Sequence, residues 1–270
     1  MKDFVIALLF ALPCLLTGIG SNAQYNDTSG KAVIVHVSMA TGVIKWNEQG
    51  KRKRFFPYHS FLLPTSLIAY GIVSLHTDAL QDINETVKEE IFTERSPHKT
   101  TLDNYLQYAP AAAVYALNLA GVHGTNNFRD RTIIYAMANT IMGITVYAGK
   151  KITAESRPDG SDKLGFPSGH TATAFAAAEF MRQEYKNVSP WYGIGGYAAA
   201  ALTGYLRIQN NKHWVGDVIA GAGVGIISTK FAYWIYPAIK RKLFKDKEVT
   251  TVVIPTYQNR TFGVGLTHHF

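Results

Sequence analysis

Long stretches of this chain carry no charged side chain, and polar segments separate them. Three such runs, at residues 104–121, 132–149 and 188–206, are each close to the roughly 20 residues that cross a bilayer as a helix. A fourth, at 214–239, is interrupted only by Asp217 and Lys230, and a shorter apolar stretch follows His170. Alanine and glycine recur in these runs, which suits close packing of membrane helices. The pattern predicts an all-α fold, a bundle of five to six main helices embedded in a membrane.

The segments around this bundle have other patterns. Residues 55–77 are uncharged but contain Pro57, Pro64 and Gly71, and residues 78–95 have the composition of a polar or amphipathic helix. Alternating Val- and Ile-rich sequence within 24–54 predicts one or two short strands, and 244–270 predicts a β-hairpin. We therefore divide the chain into 1–23, 24–54, a helical domain at 55–243, and a tail at 244–270.

The first 23 residues are typical of a signal peptide. Lys2 precedes an apolar run, and "SNA" ends a small-x-small cleavage site at Ala23. An uncleaved anchor is the alternative, and both direct the chain out of the cytoplasm. The single cysteine, Cys14, lies inside this segment, so no intramolecular disulfide is expected.

Composition and charge narrow the class of partner. Charged residues make up 17% of the chain, below the roughly 25% of ordinary soluble domains, although the mean hydropathy of -0.01 leaves room for substantial polar segments. The net charge of +8 suits anionic lipid or a phosphorylated substrate. No zinc-finger spacing or RNA-binding motif is present, so no nucleic-acid partner is expected.

The few charged residues near the apolar runs form three clusters. Lys150 and Arg157 are seven residues apart, so both can project from one side of a helix end. In "PSGH", Ser168 can cap the following helix and Gly169 lets backbone N–H groups approach an anion, with His170 next to them. In "RIQNNKHWVGD", Arg207 is followed by His213 and Asp217.

Together these clusters suit a phosphoryl-transfer site better than helix capping. His213 and Asp217 are four residues apart on one helix face. The carboxylate can accept the imidazole Nδ1–H and leave Nε2 free as a nucleophile. The three cations Lys150, Arg157 and Arg207 and a helix N-terminus suit a phosphate passing through its transition state.

The three spaced blocks Lys150–Pro158, Pro167–His170 and Arg207–Asp217 resemble those of the type 2 phosphatidic acid phosphatase (PAP2) family, over about residues 60–240. The resemblance implies that His213 attacks phosphorus to form a phosphohistidine, that Asp217 orients it, and that His170 protonates the leaving oxygen. It also implies that the substrate phosphate is bound by Lys150, Arg157, Arg207, Ser168 and the Gly169 amide. No metal or other cofactor is implied. One departure is Leu206, where the family usually has serine.

The expected partners are a phosphorylated lipid and a membrane in a bacterial cell envelope. The expected membrane spans lie near 104–121, 132–149, 170–186, 190–207 and 214–239. The basic loops between them then fall on one side of the membrane, and the three clusters described above fall on the other side. Basic loops favour the cytoplasm, so the site would face the periplasm. This orientation requires either that 55–77 is a helix lying in the membrane interface, or that the N-terminus is not a simple cleaved signal peptide.

The expected function is therefore hydrolysis of a lipid phosphate or pyrophosphate, with lipid A, undecaprenyl pyrophosphate, phosphatidylglycerophosphate and phosphatidic acid as candidates. A soluble periplasmic acid phosphatase, a vanadium haloperoxidase and a non-catalytic membrane anion-binding protein are the alternatives.

Overall fold

A computed structural model describes residues 58–94 and 98–242 with their side chains, together with the backbone of Leu243 and of short strands near both ends of the chain. The predicted signal peptide at 1–23 and Cys14 lie outside the described residues. The described part is dominated by α-helix, as the uncharged runs predict.

Eight α-helices lie within the described residues. They are α1 Tyr58–Ser74, α2 Asp78–Lys88, α3 Leu102–Leu106, α4 Ala109–Leu119, α5 Phe128–Thr153, α6 Gly169–Tyr185, α7 Pro190–Gln209 and α8 Val215–Leu243. A π-helical segment, Glu89–Glu94, continues α2. Five of these helices have 17 or more residues, in line with the expected bundle.

The strands come before and after the helices along the chain. In antiparallel order, β1 (Gln24–Asn26) pairs with β2 (Ala32–Val37), and β2 pairs with β3 (Ile44–Glu48). At the other end of the chain, β4 (Thr251–Gln258) and β5 (Thr261–His268) form a two-stranded antiparallel sheet.

Helix α6 is the centre of the bundle, with α4, α5, α7 and α8 packed around it. Its consecutive residues Ala176, Ala177 and Ala178 are fully buried, because small side chains let neighbouring backbones approach from several sides. Ser168 caps its first turn, and its Oγ accepts from the Thr171 amide at 3.4 Å. The start of α6 is therefore firmly placed beside the ends of α5, α7 and α8.

Gly225 of α8 lies directly against the backbone of α6. A Cβ atom at this position would lie against the Ala172 carbonyl oxygen, nearer than real side chains come, and 2.8 Å from the Ala176 amide nitrogen. We expect Gly225→Ala to lower the free energy of unfolding by about 1–3 kcal/mol, because the two helices must separate. Thermal unfolding in detergent measures this change.

The matched control is Gly143→Ala in α5, where a Cβ would meet nothing within 4 Å. Alanine favours helix over glycine by about 1 kcal/mol, so this variant should be as stable as the wild type or more so. Equal stability of the two variants would contradict the close approach.

A buried charged cluster explains why Lys230 interrupts the last apolar run. Glu179 of α6 is fully buried and accepts hydrogen bonds from Arg182 at 2.7 Å and from the Tyr197 hydroxyl at 2.6 Å. The ammonium of Lys230 lies 3.7 Å from the same carboxylate. A buried carboxylate is tolerated only with such partners, and here they join α6, α7 and α8.

By length and composition, two helices of the described residues can cross a membrane, at Phe128–Thr153 and Val215–Lys242. A third span is formed if Tyr58–Ser74 and Asp78–Glu94, bent by 92° at their junction, count as one. The expected span at 104–121 is wrong, because this run is divided into α3 and α4, of 5 and 11 residues, and neither can cross a bilayer.

The break expected at Pro64 within 55–77 does not occur. Helix α1 continues through Pro64 and packs along α8 as a member of the bundle. Small residues allow this contact, since Cβ atoms added at Gly71 or Gly223 would overlap the other helix.

Candidate active site

The ends of four helices meet at one end of the bundle and bring the three sequence blocks together. Helix α5 ends there and α6 begins there, and the turn between α7 and α8 lies beside them. The Ser168 amide donates to the Asp217 carbonyl at 3.0 Å and so joins the start of α6 directly to α8.

His213 lies in the α7–α8 turn and is 2% exposed, and Asp217 in the first turn of α8 is 1% exposed. The Nδ1 of His213 is 3.4 Å from Oδ2 of Asp217, which also accepts from the Trp214 amide at 3.0 Å. A carboxylate can only accept, so Nδ1 carries the hydrogen and Nε2 keeps its lone pair. This is the orientation that the sequence predicts.

Positive charges near the site act on this imidazole. Burial lowers the pKa of His213 well below its usual value of 6.5, and the charges of Arg207, Lys150 and Arg157 lower it further. The charges of all three predicted cations therefore act on one side chain, and together with burial they favour its neutral form.

Arg207 is held from one side only. It is 7% exposed, and its Nη1 donates to Oδ2 of Asp103 at 2.6 Å. Its Nε is buried and has no hydrogen-bond partner among the described residues. A buried guanidinium with an unused donor can accept an anionic ligand without giving up its existing ion pair.

Lys150 and Arg157 are not on one helix, contrary to the expectation from their spacing. Helix α5 ends at Thr153, and Ala154 adopts a left-handed conformation (φ 45°) that stops it. Arg157 therefore lies in the loop that follows, where its Nε donates to Oδ1 of Asp162 at 2.7 Å. Lys150 Nζ donates to the Leu164 carbonyl of the same loop.

The Ser168 hydroxyl differs from the expected phosphate cradle, whereas the Gly169 amide remains compatible with it. The Ser168 side chain is fully buried and its hydroxyl lies 2.9 Å from that of Thr171. Its role in the structure is therefore to cap α6. The amides of Gly169 and His170 lie in the first turn, where N–H groups have no partner within the helix and can face an anion.

His170 is half-buried, and its Nε2 is 2.9 Å from Oδ1 of Asn104. Sequence reasoning missed both Asn104 and its neighbour Asp103. The available signal was Asp103, a carboxylate directly before an uncharged run, as Arg207 is a cation directly after one.

No group of three or more His, Cys, Asp or Glu side chains within the described part of the chain is placed to hold a metal ion. What the site does offer is a buried imidazole, a second imidazole and three cations. This set suits in-line displacement at a phosphate, with charge stabilisation by the cations.

The chain is similar to several known proteins. A family model described as the PAP2 superfamily matches residues 131–241. Lipid A 1-phosphatase of Porphyromonas gingivalis is 38% identical over 254 residues, which cover 91% of this chain and 54% of that protein. Lipid A 4'-phosphatase of the same organism is 35% identical over 74 residues, covering 27% and 30%. The chain thus spans about half the length of the first relative, and the match to the second covers a smaller part still.

Two crystal structures are also similar. Aquifex aeolicus LpxE has a TM-score of 0.44 and 22% identity, over 56% of this chain and 94% of that one. The PAP2 type phosphatidylglycerolphosphate phosphatase of Bacillus subtilis has a TM-score of 0.45 and 19% identity, over 68% and 99%.

Proposed function

We propose that this chain, whose residues 131–241 match the family model of the PAP2 superfamily, is a membrane phosphatase that hydrolyses a lipid phosphate or pyrophosphate. The observation that carries the proposal is the buried pair of His213 and Asp217 among three cations. Neither a plain anion-binding site nor a helix cap requires an imidazole that is oriented by a carboxylate and kept neutral.

The positions of these groups support the following reaction. Nε2 of His213 attacks phosphorus, and the bond from phosphorus to the ester oxygen breaks. His170 gives a proton to that oxygen, and the phosphoryl group remains on His213 as a phosphohistidine. Neutral His170 then takes a proton from water, which attacks phosphorus and releases inorganic phosphate and free His213.

Each cation offers a donor to the non-bridging oxygens during these steps. Arg207 can donate from its Nε, which has no hydrogen-bond partner among the described residues. Arg157 binds Asp162 through its own Nε, so its two terminal nitrogens can donate to the phosphate. Charge builds up on these oxygens in the transition state, where donors fixed in advance contribute most. Lys150, at the end of α5, adds a third positive charge.

Among lipid phosphates, we propose lipid A as the substrate. The support is the similarity to lipid A 1-phosphatase of Porphyromonas gingivalis along 91% of this chain. We also propose that the site faces the periplasm. In support, Lys240, Arg241 and Lys242 lie in the last turn of α8, at the opposite end of the bundle, where Lys240 contacts Asp130 of α5. A basic end favours the cytoplasm.

A substrate panel tests the proposal. The purified chain in detergent is incubated with lipid A, undecaprenyl pyrophosphate, phosphatidylglycerophosphate and phosphatidic acid, and released phosphate is measured. We expect lipid A to lose one phosphate fastest. Phosphate release no faster than that of the His213→Ala variant on all four lipids would refute a phosphatase. Faster release from another lipid would refute the choice of lipid A alone.

The pH dependence follows from the surroundings of His213. Because burial and the neighbouring cations lower its pKa, the side chain stays neutral below pH 6.5 and protonates only in more acidic solution. We expect the acid limb of kcat/KM to lie below pH 6.5. Two substrates whose phosphate groups ionise at different pH values should show the same limb, since it belongs to the enzyme. A limb at or above 6.5 with both substrates would contradict this environment.

A further inference from the structure

A segment outside the three sequence blocks is attached to the end of α7. The Thr100 amide donates to Oδ1 of Asn210 at 3.0 Å, and Nδ2 of Asn210 donates back to the Thr100 carbonyl at 2.8 Å. Three residues later, Asp103 is 1% exposed and accepts from Arg207 at 2.6 Å and from Asn210 at 3.3 Å. These contacts fix the short helix α3 against the turn that carries His213.

On α3, Asn104 is the residue that reaches the other histidine. Its Oδ1 is 2.9 Å from Nε2 of His170. Its carbonyl accepts from Nε2 of Gln107 at 2.9 Å, and its amide donates to the Thr101 carbonyl at 3.1 Å. The backbone of Asn104 is thus held from both sides, and its side chain contacts His170 across 66 residues of sequence.

We propose that Asn104 is a positioning residue for proton donation by His170, an inference that rests on the proposed phosphatase function. An amide oxygen can only accept, so the hydrogen on Nε2 of His170 stays there. Nδ1 is then the nitrogen that gives its proton to the ester oxygen as the bond from phosphorus to that oxygen breaks. Asn104 therefore sets both the tautomer and the ring orientation of His170, as a carboxylate does for a catalytic imidazole.

The contacts of Asn104 argue against a role in packing alone. The Asn104 side chain is exposed, so its loss leaves no cavity in the core. The Arg207 ion pair depends on Asp103 and the attachment to α7 on Thr100 and Asn210, and none of these uses the Asn104 side chain. Removing this side chain acts on His170 alone.

Substrates with different leaving groups distinguish a role of Asn104 in proton donation from a role in packing. Benzyl phosphate and para-nitrophenyl phosphate are similar in size, but only the benzyl alkoxide needs a proton to depart. General-acid catalysis contributes about 10²–10⁴-fold, so we expect Asn104→Ala to lower kcat/KM for benzyl phosphate by about tenfold or more. The rate for para-nitrophenyl phosphate should change by less than about twofold. Both rates are measured on the full chain in detergent.

Three further variants complete the test. His170→Ala should show the same selectivity more strongly, and Asn104→Asp, which keeps an acceptor oxygen, should restore the wild-type ratio of the two rates. Asn187→Ala, an exposed asparagine in the α6–α7 turn, should change neither rate.

The outcomes distinguish this inference from the proposed function. A selective loss in His170→Ala with an equal loss of both rates in Asn104→Ala overturns the role of Asn104 alone. The same holds if Asn104→Asp is as selective as Asn104→Ala. A wild-type chain that releases no phosphate from either probe or from the lipid panel overturns the proposed function, and this inference with it.

Discussion

Replacing His213 with glutamine is expected to reduce kcat by at least about 10⁴-fold, because it removes the proposed nucleophile and leaves only binding and charge stabilisation. Glutamine keeps a polar group near Asp217 but cannot form the bond to phosphorus. Since His213 is 2% exposed and contacts Asp217, a variant of similar polarity is preferable to one that leaves an unpaired carboxylate. The measurement is steady-state phosphate release, with circular dichroism to confirm the helical fold.

A matched control is His123→Gln, since His123 is exposed in the α4–α5 turn at the other end of the bundle. It should keep wild-type activity. Rapid acid-free quenching of the wild type with labelled substrate should trap label on the protein, and His213→Gln should trap none. Turnover by His213→Gln within tenfold of the wild type would show that another group attacks phosphorus.

The candidate site was predictable where its residues are close in sequence. His213 and Asp217 are four residues apart, and this spacing dictates their contact once α8 begins at Val215. Ser168 capping α6 follows from local backbone chemistry in the same way. Such short-range relations need no knowledge of the remaining fold.

The residues that sequence reasoning missed depend on long-range contacts. Asp103 meets Arg207 across 104 residues, and Asn104 meets His170 across 66. Their positions follow from how α3 lies against α7, which neither hydropathy nor motif spacing encodes. Arg157 was misplaced for a local reason, because Ala154 takes a left-handed conformation without the glycine or asparagine that usually signals one.

The hydropathy pattern shows how long an uncharged run is, but it does not show where a helix within that run breaks. The run at 104–121 is uncharged throughout, yet a break between Leu106 and Ala109 divides it into two short helices. Conversely, Pro57 and Pro64 suggested an interrupted segment, while α1 is one helix packed along α8. Proline in a helix that is supported by its neighbours costs less than its propensity indicates.

Replacing Arg207 with lysine separates phosphate binding from stability. Arg207 donates Nη1 to Asp103, and its unpartnered Nε is the proposed donor to the phosphate, whereas a single ammonium cannot serve both at this geometry. We expect kcat/KM to fall by about 10²–10³-fold, the usual cost of losing a donor to transition-state charge. The unfolding temperature should stay close to that of the wild type, because lysine still neutralises Asp103.

Arg207→Met should behave differently, and its comparison with a double variant identifies the cause. Methionine leaves the carboxylate of Asp103, 1% exposed, without its cation, and breaking a buried ion pair in this way costs about 3–5 kcal/mol. Adding Asp103→Leu removes the stranded charge, so the double variant should recover most of the stability but none of the activity. Two results would contradict a role of Arg207 in phosphate binding: recovery of turnover in the double variant, or a kcat/KM of Arg207→Lys within tenfold of the wild type. Arg207 would then act only on the stability of the fold through Asp103, and Lys150 and Arg157 alone would bind the phosphate.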